Sequence, residues 1–204
     1  MGPPDPSYAP GDVGLSRGSG LVDRAIRFAE TLRYGRHSAE ARWNHAFMII
    51  DSSGDLIQAE AHGMVWGTMQ SDYAHGDYVI LRPPYPPGGA DRAVNAMKAM
   101  RDQKQKYDYL EIASEALSFL FQTKLRFAIE GQQICSGAVS FALDQGGIFM
   151  GYDEQWNSPA DVMHYALDNE WQWVDGASVS EIQAALSTRR RRNARNAPGA
   201  ALSE

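Results

Sequence analysis

The sequence predicts an α+β fold in which helices pack on a small antiparallel sheet. Two strand-like segments, 43–50 and 55–61, flank a turn cluster and together predict a β-hairpin. Elsewhere, apolar residues recur at spacings of three and four, which is typical of helices that bury one face. Because the strands and most of the helices form separate runs along the chain, we expect helices layered on one sheet.

The remaining elements follow in chain order. A first helix is predicted over Leu21–Tyr34, where five apolar residues share one face. A third strand is predicted over Asp77–Arg82, and the proline-rich stretch 82–89 ends it, because proline interrupts strands and helices alike. Three helices come next, over Asp91–Lys106, Glu111–Arg126 and Ser136–Gln145, and a late helical stretch covers Ala160–Asn169.

The turn of the hairpin sets its register. The cluster Asp51–Gly54 is rich in residues that favour turns. If it forms a four-residue loop, Ile50 stands opposite Asp55, and the numbers of opposed residues sum to 105. His45 then lies opposite Glu60, with Cβ atoms about 4.5–5.5 Å apart.

A pair between His45 and Glu60 would have a chemical consequence. A carboxylate beside an imidazole can accept its N–H, fix its tautomer and stabilise its charged form. Equally, the two side chains could form a cross-strand polar pair that only satisfies itself. A slip of two residues would bring Gln58 or His62 opposite His45 instead, and a slip of one would turn Glu60 to the other face.

Composition and charge exclude several classes of protein. The chain has 204 residues, of which 44% are hydrophobic and 10% aromatic, so it is too apolar for a mostly disordered protein. Its formal net charge is −6. The body is acidic, so a nucleic-acid-binding domain is not expected. No apolar run approaches the roughly 18 residues of a transmembrane helix.

These features predict one domain, residues 11–188, between a flexible leader, 1–10, and an Arg-rich tail, 189–204, that we expect to be disordered. The proline-rich stretch 82–89 is interpreted as a rigid connector, because each half of the chain alone would have a poor core. The leader lacks the basic and apolar regions of a Sec signal. We therefore expect a cytoplasmic protein, or one delivered by another route, such as a phage or effector product.

Cys135 is the one cysteine of the chain. A single cysteine excludes an internal disulfide and a cysteine-based zinc site, and no other cluster has metal-ligand spacing, so no metal or cofactor is predicted. The residue stands at the start of the predicted helix Ser136–Gln145, where the helix dipole would favour the reactive thiolate. The same helix has a buried face, so Cys135 could instead be an inert core residue.

A thiol nucleophile needs a base, usually a histidine held by a third polar group. His45 is the candidate, because it lies in a strand among apolar residues, where an unpaired imidazole is costly. His37 and His75 lie in loops, and His164 lies in the late helical stretch, positions that indicate surface or structural roles.

Five short segments occur in an order that points to a family. They are Gly11-Asp12-Val13, Trp43–Ile50 around His45, Gln58–Ala61 around Glu60, Lys106–Tyr109, and Ile134–Gly137 around Cys135. This order resembles the circularly permuted NlpC-type papain-like hydrolases, the group that includes the YiiX and lecithin:retinol acyltransferase relatives. In ordinary papain-like enzymes the cysteine helix precedes the histidine strand, whereas in the permuted group the histidine hairpin comes first. The resemblance covers residues 11–172.

The resemblance implies a permuted papain-like topology, with Cys135 as nucleophile, His45 as base and Glu60 as the residue that orients it. The thiolate would attack an amide or ester carbonyl, and backbone N–H groups at the start of the Cys135 helix would hold the oxyanion. Asn44 stands where the family has Ser, and Ala46-Phe47 stands where it has Val-Gly. These departures bear on the substrate more than on the triad.

The substrate stays open between two classes. The resemblance offers small peptides of the cell-wall type, which implies a cysteine peptidase or amidase, and acyl lipids, which implies a thiol acyltransferase or lipid hydrolase. Tyr107, Asp108 and Tyr109 are candidates for the wall of the substrate pocket, and Trp66 for a groove, although each could equally be a turn or core residue. The rival class is a non-catalytic scaffold that binds a peptide or a partner.

Overall fold

A computed structural model describes residues 7–17, 40–60, 63–103, 130–151 and 157–176. Within these ranges the protein is an α+β structure in which one six-stranded antiparallel sheet is packed with helices, so the predicted fold class is confirmed at this level. The predicted helices Leu21–Tyr34 and Glu111–Arg126 and the Arg-rich tail lie outside the described residues.

The strands of the sheet are β1 (Val13–Arg17), β2 (His45–Ile49), β3 (Asp55–Glu60), β4 (Gly63–Thr68), β5 (Asp77–Arg82) and β6 (Gln172–Asp175). Their spatial order is β4-β3-β2-β1-β5-β6. A 3-10 turn, Glu40–Arg42, precedes β2, and a π-helical turn, Met69–Tyr73, follows β4. The three predicted strands are present, and β1 lies inside the sheet, between β2 and β5.

The register of the hairpin is the predicted one. Phe47 pairs with Gln58, Met48 with Ile57 and Ile49 with Leu56, so that the residue numbers of each pair sum to 105. The backbone N–H of Ile50 donates to the carbonyl of Asp55 at 2.8 Å and closes the four-residue loop. Gly54 ends the loop with φ +87°, a conformation that glycine adopts readily.

The helices are α1 (Gly89–Gln103), α2 (Glu130–Gln145) and α3 (Pro159–Asp168). Both α1 and α3 occur where the sequence predicts them. In contrast, α2 begins at Glu130 rather than at Ser136, so the prediction that Cys135 stands at a helix start is wrong. The reason is that the residues before Cys135 contain no proline to stop a helix, and a single glycine costs only about 1 kcal/mol.

The sheet buries apolar side chains on both faces. The larger cluster joins the sheet to the three helices and includes Leu15, Met48, Ile57, Met97, Leu143 and Met163. The smaller cluster, on Phe47, Ile49, Leu56, Met69, Tyr73 and Ile80, lies on the other face. Because side chains alternate along a strand, His45 and Gln58 share the face of the smaller cluster. Among the described helices, none is long and apolar enough to cross a membrane.

Candidate active site

Cys135 and His45 lie together where α2 packs across β2 and β3. Their side chains share a hydrogen bond. Cys135 is only 1% exposed, and His45, at the first position of β2, is half-buried. The two residues that the sequence analysis assigned to nucleophile and base are therefore neighbours, although 90 positions separate them in the chain.

The end of the β2–β3 ladder makes room for the thiol. The paired residues stop at Phe47 and Gln58, although β2 begins two residues earlier. Alternate residues of an antiparallel strand direct their N–H groups to the same neighbour, so the N–H of Ala46 faces the β3 side, as that of Ile50 does. That N–H hydrogen-bonds to Cys135. The thiol thus accepts the N–H of Ala46, which would have bonded to β3 if the β2–β3 ladder were longer.

The electrostatics of the pair favour ionisation of both groups. Burial of Cys135 opposes the thiolate, but the charge and hydrogen bond of His45 and the N–H groups of Ala46 and Ser136 outweigh burial and lower the pKa of the thiol. Burial of His45 opposes its protonation, but its interactions with Cys135, Gln58 and Glu60 outweigh burial and raise the pKa of the imidazole. Together these shifts favour a thiolate beside an imidazolium.

Gln58, rather than Glu60, contacts the imidazole. His45 Nε2 lies 3.0 Å from Gln58 Oε1. Glu60 lies one step further away and accepts a hydrogen bond from Gln58 Nε2 at 3.3 Å. The predicted direct pair between His45 and Glu60 is therefore wrong. The ladder stops before it, and the side chain of Gln58, at the diagonal position, reaches the imidazole instead.

The amide of Gln58 is held on every side. Gln58 is 5% exposed, and its Oε1 also accepts the hydroxyl of Tyr73 at 2.5 Å. Its Nε2 faces Asp72 Oδ2 at 3.4 Å as well as Glu60. The sequence holds one signal for Gln58, a polar residue in a strand whose neighbours are apolar. It holds none for Asp72 and Tyr73, which the π-helical turn brings back to β3.

The predicted substrate residues fall into two groups. Tyr107, Asp108 and Tyr109 lie outside the described residues. Trp66 lies on β4 across from Ile57, is 44% exposed, and has the guanidinium of Arg101 5.1 Å from its ring centre. Because paired residues share a face of the sheet, Trp66 lies on the face of Ile57, and His45 and Gln58 lie on the opposite face.

The N–H groups predicted as oxyanion donors are not those of a helix start, because α2 begins before Cys135. Cys135 lies in the second turn of α2, past the first turn, where the N–H groups of a helix lack acceptors within the helix. Beside it, the hydroxyl of Ser136 donates to the backbone carbonyl of Asn157 at 2.5 Å. Asn157 is 1% exposed, and its Nδ2 has no hydrogen-bond partner among the described residues. A buried donor of this kind is uncommon, and a role in catalysis is one of its recognised explanations.

Neither a metal-binding cluster among the described residues nor a related protein adds information about this site. Within the described ranges, no group of three His, Cys, Asp or Glu side chains is placed to hold a metal ion. Comparison of the chain with models of protein families gave no match. Comparisons with curated proteins and with solved structures gave no match either.

Proposed function

We propose that the protein is a cysteine-dependent hydrolase that cleaves an amide bond through an acyl-enzyme on Cys135. The observation that carries the proposal is the hydrogen-bonded pair of Cys135 and His45, in which the pKa of the thiol is lowered although the thiol is buried. Burial alone raises the pKa of an inert core cysteine. A lowered thiol pKa beside a histidine held by a third polar group is the arrangement of a thiol nucleophile.

The reaction uses the geometry of the site directly. The thiolate of Cys135 attacks the carbonyl carbon, a C–S bond forms, and the carbonyl electron pair moves to oxygen. As the C–N bond breaks, the imidazolium of His45 gives its proton to the leaving amine. His45 then takes a proton from water, which attacks the thioester and releases the acid and the thiolate. Because Nε2 faces Gln58, Nδ1 is the nitrogen that exchanges protons.

The oxyanion that forms during attack needs hydrogen-bond donors. Asn157 supplies a candidate, since its buried Nδ2 has no partner in the part of the chain that the structure describes, and its main-chain carbonyl accepts from Ser136, the residue after Cys135. In this proposal Asn157 Nδ2 takes the place of the helix-start N–H groups.

The order of the site residues supports a permuted papain-like topology. His45 on β2 and Gln58 on β3 precede Cys135 on α2, as the resemblance implies. On this topology, small peptides of the cell-wall type are the first substrate class. Acyl lipids are the alternative, in which a second acceptor in place of water would make the same thioester chemistry an acyl transfer.

One observation favours a different function. Cys135 is only 1% exposed, so a carbonyl reaches its sulfur only after neighbouring groups move. A non-catalytic scaffold that binds a peptide or a partner has no need for such movement. The test below separates the two functions.

The first experiment measures the rate at which iodoacetamide alkylates Cys135 between pH 5 and pH 9. A lowered thiol pKa leaves thiolate present in mild acid, so we expect alkylation already at pH 6. His45→Ala removes the positive charge and should move the reaction toward the ordinary thiol pKa of about 8.5. His75→Ala, which changes an exposed histidine in a turn, is the matched control. Alkylation of the native protein only above pH 8 contradicts the proposal.

The second experiment identifies the acyl group. The intact mass of the protein is measured after exposure to muropeptides and, separately, to acyl lipids, with Cys135→Ser as the control. An adduct from muropeptides supports the amidase, and one from lipids supports the acyltransferase. If the thiol is reactive and neither class adds mass, both substrate classes are excluded and the scaffold function is favoured.

A further inference from the structure

We infer that Asp72 and Tyr73, together with Glu60, are positioning residues that fix the amide orientation of Gln58 and thereby the proton on His45. This inference rests on the proposed function, because it concerns the base of the same site. The three residues are called the Gln58 clamp below. Nothing in the resemblance assigns a role to the π-helical turn that carries two of them.

The donors and acceptors around Gln58 allow one amide orientation. A carboxylate only accepts hydrogen bonds, so Glu60 and Asp72, at 3.3 and 3.4 Å, require the NH₂ group of Gln58 on their side. The amide oxygen is then left for the hydroxyl of Tyr73. A flipped amide would point its oxygen at both carboxylates and its NH₂ group at the Tyr73 hydroxyl. The two carboxylates therefore oppose the flip, and the Tyr73 hydroxyl would have to give up its hydrogen bond to the amide oxygen and accept from the NH₂ group instead.

The orientation of Gln58 decides the tautomer of His45. The amide oxygen stands 3.0 Å from Nε2, and an oxygen acceptor requires a hydrogen on that nitrogen. In the neutral imidazole, Nδ1 then keeps its lone pair on the side of Cys135. That lone pair is what receives the thiol proton, so a loss of the clamp would weaken the base without removing it.

The clamp is held by its own local contacts. Ser71 donates its hydroxyl to Asp72 Oδ1 at 2.7 Å and its N–H to Thr68 Oγ1 at 3.0 Å. Gly67 makes room for the turn, since a Cβ there would collide with Asp72 Oδ2. The ring of Tyr73 stacks on Phe47, with centres 4.3 Å apart and planes at 11°. π-Helical turns are rare, and where they occur they frequently mark functional sites.

The direct test reads the His45 tautomer by long-range ¹H–¹⁵N NMR in a Cys135→Ala background, at a pH where the imidazole is neutral. We expect the hydrogen on Nε2 when the clamp is intact. The additional pair Asp72→Ala and Glu60→Ala should give a mixture of both tautomers. Asp55→Ala, which removes a carboxylate from the other end of β3, should leave the spectrum unchanged.

The second readout is the alkylation rate of Cys135 at pH 6 in proteins that keep the thiol. The Asp72→Ala/Glu60→Ala variant should react about fivefold more slowly, as expected for the loss of a typical hydrogen bond. Asp72→Asn keeps an acceptor oxygen and should recover part of that rate. If the double variant fails to fold by circular dichroism, the single variants Asp72→Ala and Tyr73→Phe decide by the same two measurements.

The outcomes separate the inference from the proposed function. If native Cys135 is unreactive at pH 6, the proposed function fails. If native Cys135 is reactive but the clamp variants keep its tautomer and alkylation profile, the inference alone is overturned.

Discussion

Gly14 makes room for the aromatic ring next to the candidate site. It pairs with Phe47 across β1 and β2, and a Cβ at Gly14 would overlap ring atoms of Phe47. Phe47 is fully buried and stacks on Tyr73, whose hydroxyl bonds to Gln58. The absence of a side chain at Gly14 therefore leaves room for the Phe47 ring, on which Tyr73 stacks while its hydroxyl bonds to Gln58, the residue in contact with His45.

We predict that Gly14→Ala destabilises the protein and perturbs the site. The displaced Phe47 ring should cost about 1–3 kcal/mol, the usual cost of overpacking a core. The free energy of unfolding is measured in urea, together with the alkylation rate of Cys135. Gly76→Ala is the control, since the nearest atom to a Cβ there lies at an ordinary 3.5 Å. Equal stability of the two variants would contradict the role given to Gly14.

At the scale of elements, the turn of the β2–β3 hairpin rests on one carboxylate. Asp51 Oδ1 accepts from the N–H of Ser53 at 2.9 Å, from its hydroxyl at 2.7 Å and from the N–H of Asp55 at 3.1 Å. Burial opposes ionisation of Asp51, but these hydrogen bonds outweigh it and lower the pKa of the carboxyl. The turn fixes the register that places Gln58 beside His45.

Asp51→Ala should lower the free energy of unfolding by about 1 kcal/mol at neutral pH, the usual loss for such hydrogen bonds. Because the folded pKa is lowered, this contribution is present above the unfolded pKa of about 3.9 and is lost as the pH falls through the folded value. Urea unfolding at neutral and acidic pH measures both effects. Ser52→Ala, at an exposed turn position, is the control, and an equal loss in that variant would speak against the role of Asp51.

The hairpin was predictable because its register depends on four adjacent residues. β4 was missed, since glycine at both Gly63 and Gly67 hides its alternation, and β6 has only four residues. The start of α2 was predicted too late because Phe127, Ala128 and Ile129, which precede Glu130, include no capping residue to mark the start of a helix.

At the site, Cys135 and His45 could be predicted from residue type and local pattern. Gln58 was not predicted as the partner of His45, because a strand register identifies the residue directly opposite His45 and not the diagonal neighbour. The contact of Tyr73 with Gln58 depends on a π-helical turn, for which the sequence holds no pattern.

At the scale of the whole molecule, an ion pair joins the chain before β1 to the end of β5. Arg82 Nε and Nη2 each lie 2.7 Å from one carboxylate oxygen of Asp12, which is 1% exposed. The same carboxylate accepts the N–H of Ala9 at 2.8 Å, and Arg82 donates to the carbonyl of Ser7. Residues 7–9, in the predicted leader, are thus tied to the sheet.

We predict that Arg82→Ala costs about 3 kcal/mol, because it leaves the Asp12 charge buried without its cation. Arg82→Lys keeps the charge but loses the two-pronged geometry, so its loss should be smaller. Urea unfolding ranks the two variants, and the alkylation profile of the folded proteins should match the native one. If lysine and alanine are equally destabilising, the charge of Arg82 is not what stabilises Asp12.

The central place of β1 has a consequence for how the sheet assembles. β1 is bordered by strands that come much later in the chain, with Ser16 against His45 and Val13 against Leu81. Until β5 has been synthesised, one side of β1 has no partner, and contacts between distant segments form slowly. Without β1, β2 and β5 would each present an unpaired edge, which is prone to join another chain. A peptide of residues 7–17 would have the matching shape to fill that slot, so this strand could be supplied as a separate molecule.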